Sequence, residues 1–288
     1  MIWIGALLIG TGIGILTGMF GVGGGFLLTP LLNIILGLPA SIAVGTGVVQ
    51  ILGVSTAGLY RRRHKGQTDY KMAIVLFGGN YAGVRLGVKT LESLKGLGDI
   101  AFNGTTMPAA DFYLLCIFLI LLGLIAGWLL YDTSRNKGEE GARVGLFSRI
   151  KLPPYTDFPS LDQPRLSIPV MSYFGLALGF LTGLLGIGGG VILLPALVYL
   201  VGMRTHRATA TSLAMVWLTS FIATITHAAA GNADVMLVIP LLLGGTIGLQ
   251  VGVSLCSKLG GTKLRRYFCF VVIAAMIIVA AKLMTVAL

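Results

Sequence analysis

The spacing of apolar residues limits this chain more than any other feature. Ten apolar blocks run through it, near residues 2–17, 26–37, 40–60, 70–88, 112–131, 168–185, 190–202, 208–229, 235–257 and 267–285. Several reach the about 20 residues that a helix needs to cross about 30 Å of hydrocarbon. They are too long and too uncharged to be barrel strands, which run to about 10 residues. Hydrophobic residues make up 56% of the chain and charged residues 11%, a balance no single soluble core accounts for. The pattern predicts an all-α polytopic membrane protein. The first block lacks a basic start and has an internal counterpart near 168–185, so it is expected to be a retained membrane segment.

The net charge is +11, and its placement matters more than its size. Basic residues follow the third block (Arg61, Arg62, Arg63, Lys65, Lys71) and the fifth (Arg135, Lys137, Arg143, Arg149, Lys151, Arg165). They return after the seventh (Arg204, Arg207) and the ninth (Lys258, Lys263, Arg265, Arg266). The alternate loops hold only Lys89 and Lys95, beside Glu92, Asp99 and Asp111. The positive-inside rule makes the basic side cytoplasmic and sends both termini outward, in a multi-pass inner-membrane arrangement. The excess charge orients the chain in the bilayer and calls for no nucleic-acid partner. Cys116, Cys256 and Cys269 lie in or beside apolar blocks without metal-ligand spacing and read as small buried hydrophobes.

Residues 18–30, "GMFGVGGGFLLTP", return 165 positions later as "GLLGIGGGVILLP". The offset holds without a gap from about Gly14 to Gly87, pairing Thr17 with Thr182, Pro30 with Pro195, Thr46 with Thr211 and Asp69 with Asp234. The chain is therefore a duplicated five-block unit: a first membrane repeat at 1–131, a cytoplasmic linker at 132–166 and a second repeat at 167–288. Five is odd, so the second unit is expected to be inverted. Equivalent loops exchange charge accordingly: "RRRHKGQTDYK" is strongly basic, while its partner "THAAAGNADVM" has His227 alone. Inverted-topology repeats are the architecture of many secondary transporters.

The blocks at 26–37 and 190–202 are too short to cross untilted, and each follows its glycine run directly. Each is expected to form a glycine-tipped helical hairpin with the block before it, either re-entrant or crossing. A glycine tip feeding a helix leaves backbone N–H groups free and adds the positive end of the helix dipole, a setting that favours an anion. The same glycines also suit a tight turn or close helix packing. Their occurrence at matching places in two halves favours a substrate site at Gly23, Gly24 and Gly25 with Gly188, Gly189 and Gly190. A dinucleotide site is excluded, since Phe26 stands where G-x-G-x-x-G needs its last glycine.

The paired "G-x-x-G-x-G-G-G-x-x-x-x-P" stretches, the "G-x-x-D" before Asp69 and Asp234, and the glycine ladders Gly79, Gly83, Gly87 and Gly244, Gly248, Gly252 resemble the TauE/SafE sulfite exporter family. The resemblance covers most of both halves and omits the loop at 89–111 and the linker. It implies a bacterial-type carrier for sulfite or another small sulfur-containing anion, organosulfonates included.

Further polar residues have two readings each. Arg85, inside the fourth block, helps to hold or admit the anion or else snorkels to the outer interface. Thr46 and Gln50 share one helix face, Thr211 repeats Thr46, and Asn80 lies deep in its block; all four line a polar path or bond neighbouring helices. Asp69 and Asp234 read as N-caps, and His227 as an interfacial histidine or one on the pathway. No catalytic set, cofactor or metal site is expected, since nucleophile–base pairs, paired buried carboxylates and ligand clusters are missing from the pattern. The expected function is secondary anion transport by alternating access, with a passive anion channel as the alternative. The glycine ladders serve contacts within one chain or between copies in a homo-oligomer.

Overall fold

The structure, a computed structural model, describes residues 2–62, 66, 68–102, 105–135, 145–150, 152–158, 161 and 165–287. Six of the basic-side residues, Arg63, His64, Lys65, Lys137, Arg143 and Lys151, lie outside that set. The first half folds as α1 (Ile2–Phe20), α2 (Gly25–Leu36), α3 (Ala40–Arg62), α4 (Tyr70–Lys95) and α5 (Ala109–Arg135). The second folds as α6 (Ile168–Leu185), α7 (Gly190–Ala196) with a π turn at Leu197–Val201, α8 (Thr205–Ala229), α9 (Val235–Lys258) and α10 (Gly261–Ala287). Seven of these helices are long and apolar enough to span a membrane. Of the rest, α2 and the α7 segment are short, and α4 carries Asn80, Arg85 and Lys89 in its span. The protein is an all-α polytopic membrane fold.

Where the sequence reads as polar loop, α4 runs on to Lys95. The hydroxyls of Thr90 and Ser93 bond back to the carbonyls one turn earlier, and Glu92 pairs with Lys95 at 2.8 Å. These local bonds let a polar segment complete the helix. Beyond it, β1 (Asp99–Phe102) and β2 (Thr105–Pro108) form an antiparallel hairpin. In the linker, β3 (Tyr155–Thr156) pairs with β4 (Leu166–Ser167).

Two glycine seams tie the halves together. Gly10, Gly14 and Gly18 of α1 lie against Leu241, Gly245 and Leu249 of α9, and a methyl group on any of them would meet a backbone carbonyl. The positions rise together, so α1 and α9 run parallel. Gly244, Gly248 and Gly252 return the contact onto Leu7, Thr11 and Ile15. The second seam repeats the first at the same offset: Gly175, Gly179 and Gly183 of α6 lie against Leu76, Asn80 and Val84 of α4. Without Cβ atoms the backbones come close enough for dispersion and weak Cα–H···O contacts to hold helices that gain nothing hydrophobic from leaving lipid. The first helix of each half is thus packed on the fourth helix of the other.

At the centre, α3 and α8 cross in opposite directions. Trp217 Nε1 donates to Thr56 Oγ1 at 2.8 Å, Gly58 lies against Leu213, and Val48 and Ala223 share one apolar cluster. The two are equivalent helices under the 165-residue offset, so this pair lies across the relation between the halves.

Candidate functional site

The two glycine runs meet at the middle of α3 and α8. Gly21, Gly23 and Gly24 have φ of 67°, 73° and 70°, and Gly186, Gly188 and Gly189 have 68°, 65° and 75°. Any other residue pays for this left-handed backbone, about 1–2 kcal/mol each. The turns cap α2 at Gly24 and α7 at Gly189 without a side-chain bond. Leu27 and Leu28 donate to the Gly24 carbonyl, and Ile192 and Leu193 to that of Gly189. The N–H groups of Gly25 and Phe26, and of Gly190 and Val191, have no backbone acceptor among the described residues, although all four residues are buried. Buried orphan donors are rare, and here they occur twice.

The tips touch. A Cβ on Gly25 would strike the carbonyls of Gly186 and Ile187, and one on Gly190 would strike Val22. Ile51 and Val216, equivalent under the offset, flank the contact: a Cβ on Gly23 would lie 2.7 Å from Val216 Cγ1 and 3.0 Å from Ile51 Cγ2. Ser212 Oγ donates to the Gly21 carbonyl at 3.0 Å and so fixes the first tip to α8. Gly23, Gly24, Gly25, Gly188, Gly189 and Gly190 are therefore brought together in one buried cluster.

The other sequence candidates lie elsewhere. Thr46 and Thr211 act as a matched pair of clamps: Thr46 Oγ1 accepts from the Asp234 N–H and Thr211 Oγ1 from the Asp69 N–H, both at 3.0 Å. Each aspartate then caps its own helix, Asp69 through Met72 and Asp234 through Met236 and Leu237. Gln50 is fully buried beside Gly245, and neither atom of its amide has a partner. Asn80 donates to the Gly175 carbonyl at 3.3 Å, and its Oδ1 is unpartnered. Because Asn80 and Gly245 are equivalent positions, each half places one under-bonded amide at a comparable point of its seam. Arg85 is exposed, reaches the Tyr81 hydroxyl at 3.2 Å, and lines an open pocket of about 430 Å³ with Lys89 and Thr226.

Thr29 was not distinguished by sequence. Its Oγ1 has no partner, the residue is only 3% exposed, and a Cβ on Gly186 would lie 3.1 Å from that oxygen. A buried polar atom beside the opposite tip becomes visible only when the two hairpins are placed together. Among the described residues, no three His, Cys, Asp or Glu side chains gather as metal ligands.

A multi-pass helical fold with two glycine-tipped hairpins meeting in its interior defines a class of membrane transport protein. The chain matches the sulfite exporter TauE/SafE family over residues 6–279 and belongs to that family. It is similar to the probable membrane transporter protein YjnA of Bacillus subtilis (strain 168), 29% identical over 254 residues, which cover 88% of this chain and 89% of the relative. A probable membrane transporter protein of Xylella fastidiosa (strain 9a5c) is 26% identical over 277 residues, 94% of this chain and 93% of its own. YunE of Bacillus subtilis (strain 168), also a probable membrane transporter protein, is 24% identical over 250 residues, 84% of each chain. No solved structure matches the chain. The protein is a membrane transporter; its family is one of transporters, not of enzymes.

Proposed function

We propose that the protein is a secondary carrier that moves sulfite, or a related small sulfur-containing anion, across the cytoplasmic membrane by alternating access. The observation that carries this reading is the pair of buried orphan N–H sets, one at each glycine tip. An anion seated there is held by the N–H groups of Gly24, Gly25, Gly189 and Gly190 and their neighbours, with the Thr29 hydroxyl beside them. The hairpins re-enter, the two halves are inverted across the bilayer, and both termini face outward. The antiparallel α3 and α8 and the matched seams support the inverted relation. Rocking of one half against the other then exposes the anion to each side in turn.

The test is uptake of labelled sulfite into proteoliposomes, with and without a pH gradient, competed by thiosulfate, taurine and chloride. Saturable uptake that follows the gradient and yields to sulfur anions is expected. Flux that neither saturates nor couples, with chloride moving as well, identifies a passive channel instead. Gly189→Ala is the tip variant of choice, because its new methyl meets only Thr182 Oγ1, at 3.3 Å. It is expected to cut uptake at least tenfold while remaining monodisperse in detergent. Full uptake by a well-folded Gly189→Ala protein takes the tips out of the site.

A further inference from the structure

The second hairpin is tied to one end of the molecule by a buried polar chain. His227, fully buried in the last turn of α8, sets its Nε2 at 3.0 Å from the Gly183 carbonyl in the final turn of α6. Its Nδ1 faces the Asn232 amide nitrogen at 3.5 Å. That same nitrogen donates to Glu92 Oε1 at 2.7 Å, while the Asn232 oxygen accepts from Lys95. Glu92 and Lys95 also bond each other. The chain thus runs from the end of α4, through the α8–α9 turn, to the helix that carries the second tip.

These partners fix the protonation of the ring. A carbonyl can only accept, so Nε2 carries the hydrogen. Glu92 and Lys95 orient Asn232 with its NH2 toward Nδ1, so Nδ1 must be bare. The ring is therefore neutral when the latch is closed. A second proton would set N–H against N–H. Relief requires either a flip of Asn232, which breaks its bonds to both Glu92 and Lys95, or withdrawal of His227 from Gly183. Among the described residues, the charged groups bonded to this cluster are Glu92 and Lys95 of α4; α6 offers the Gly183 backbone, and α3 the Gly45 backbone against the Asn232 carbonyl.

We propose that His227 is the proton-binding site of the carrier, and that its protonation from the outer side releases the second hairpin. This deepens the transport reading and rests on it. The positions equivalent to the four latch residues are Arg62, Gln67, Ser257 and Gly260, a set without histidine or carboxylate. Only one of the two gates can then be proton-controlled, which makes the proton the coupling ion and confines its action to one step of the cycle. The sign follows from the bonding: the latch is closed when His227 is neutral and opens as the outer pH falls.

The experiment reads the latch without reading transport. Ala223, one turn below His227 on α8 and fully buried, is changed to cysteine, and an impermeant thiol reagent is added outside at a series of pH values. Cys116, Cys256 and Cys269 set the background in the unaltered protein. His227→Gln keeps a donor for Gly183 but cannot take a second proton, so Ala223→Cys/His227→Gln corrects for the thiol's own titration. Labelling of Ala223→Cys, relative to that double variant, is expected to rise severalfold between pH 8 and pH 5.5. Equal pH dependence in the two proteins overturns the proposal. Should His227→Gln not fold, Glu92→Gln serves instead: it loosens the latch, and labelling at neutral pH should climb to the low-pH level of the parent. An unchanged rate in Glu92→Gln overturns the proposal equally. In proteoliposomes, His227→Gln should lose the gradient-driven part of uptake, because its latch no longer opens at low outer pH; uptake that still follows the gradient overturns the proposal. Absence of sulfite uptake in the wild type, with the labelling result intact, faults the substrate and leaves the proton site standing.

Discussion

The two hairpins have the same tip and different surroundings. Behind the first, Phe20 and Phe26 pack on Phe268 of α10, with ring centroids 5.2 and 6.3 Å apart, and α2 continues as regular helix through Pro30 to Gly37. Behind the second, the equivalent residues are Leu185 and Val191, and α7 gives way after Pro195 to a π turn. Beside that turn, Trp128, Leu124, Ile192, Pro195 and Leu200 border an apolar pocket of about 210 Å³. π turns interrupt regular helix packing and recur at functional places. One hairpin is wedged by aromatic rings; the other is less tightly backed and held by the polar latch at His227. Under the proposed carrier mechanism, the first hairpin would serve as the fixed wall of the site and the second as the part that moves.

Four substitutions would break or sharpen that assignment. Phe268→Ala removes the wedge behind the first hairpin and should cost about 3–5 kcal/mol, as large aromatic truncations in packed interiors do. Thermal unfolding in detergent would read it, and a much smaller loss would mean that the first hairpin is not wedged. The clamps come next. Thr46→Val and Thr211→Val each strand an aspartate N–H, at about 1–3 kcal/mol apiece. Since the two clamps are equivalent, their losses should agree within about 0.5 kcal/mol, the usual tolerance of such comparisons; a clear inequality would show that the halves are not held alike. The smallest effect on stability belongs to Ala196→Leu, which extends a side chain into the pocket beside the π turn. Stability should hold or rise slightly while uptake slows severalfold. Faster or unaltered uptake would move the mobile element away from α7.

Helix order, the duplicated unit and the meeting of the tips were legible in the sequence because each rests on local pattern or on repetition. Gly23 and Gly188 are marked by their neighbours alone, and their positive φ follows from the run they sit in. The roles of Thr46 and Thr211 were not readable in this way. Their repetition shows that they form a pair, but their partners lie 188 and 142 residues away, and only contact between the halves shows what they bond. The π turn is equally hidden, since Pro30 and Pro195 stand in near-identical strings and differ in what packs behind them. His227 is similar: one histidine in an apolar helix says little until Asn232, 5 residues further on, and Glu92, 140 residues before Asn232, close around it.

The parallel seams also set a timetable for synthesis. Gly10, Gly14 and Gly18 leave the ribosome early, and the surface that fills them, Leu241 to Leu249, comes more than 220 residues later. At about 5–20 residues per second, α1 waits on the order of 10–50 s in the membrane with its glycine face uncovered. Neither half is complete alone, because each lends its first helix to the other. A chain cut within the linker should therefore regain its structure only when both pieces are made together, and a lone half should be degraded.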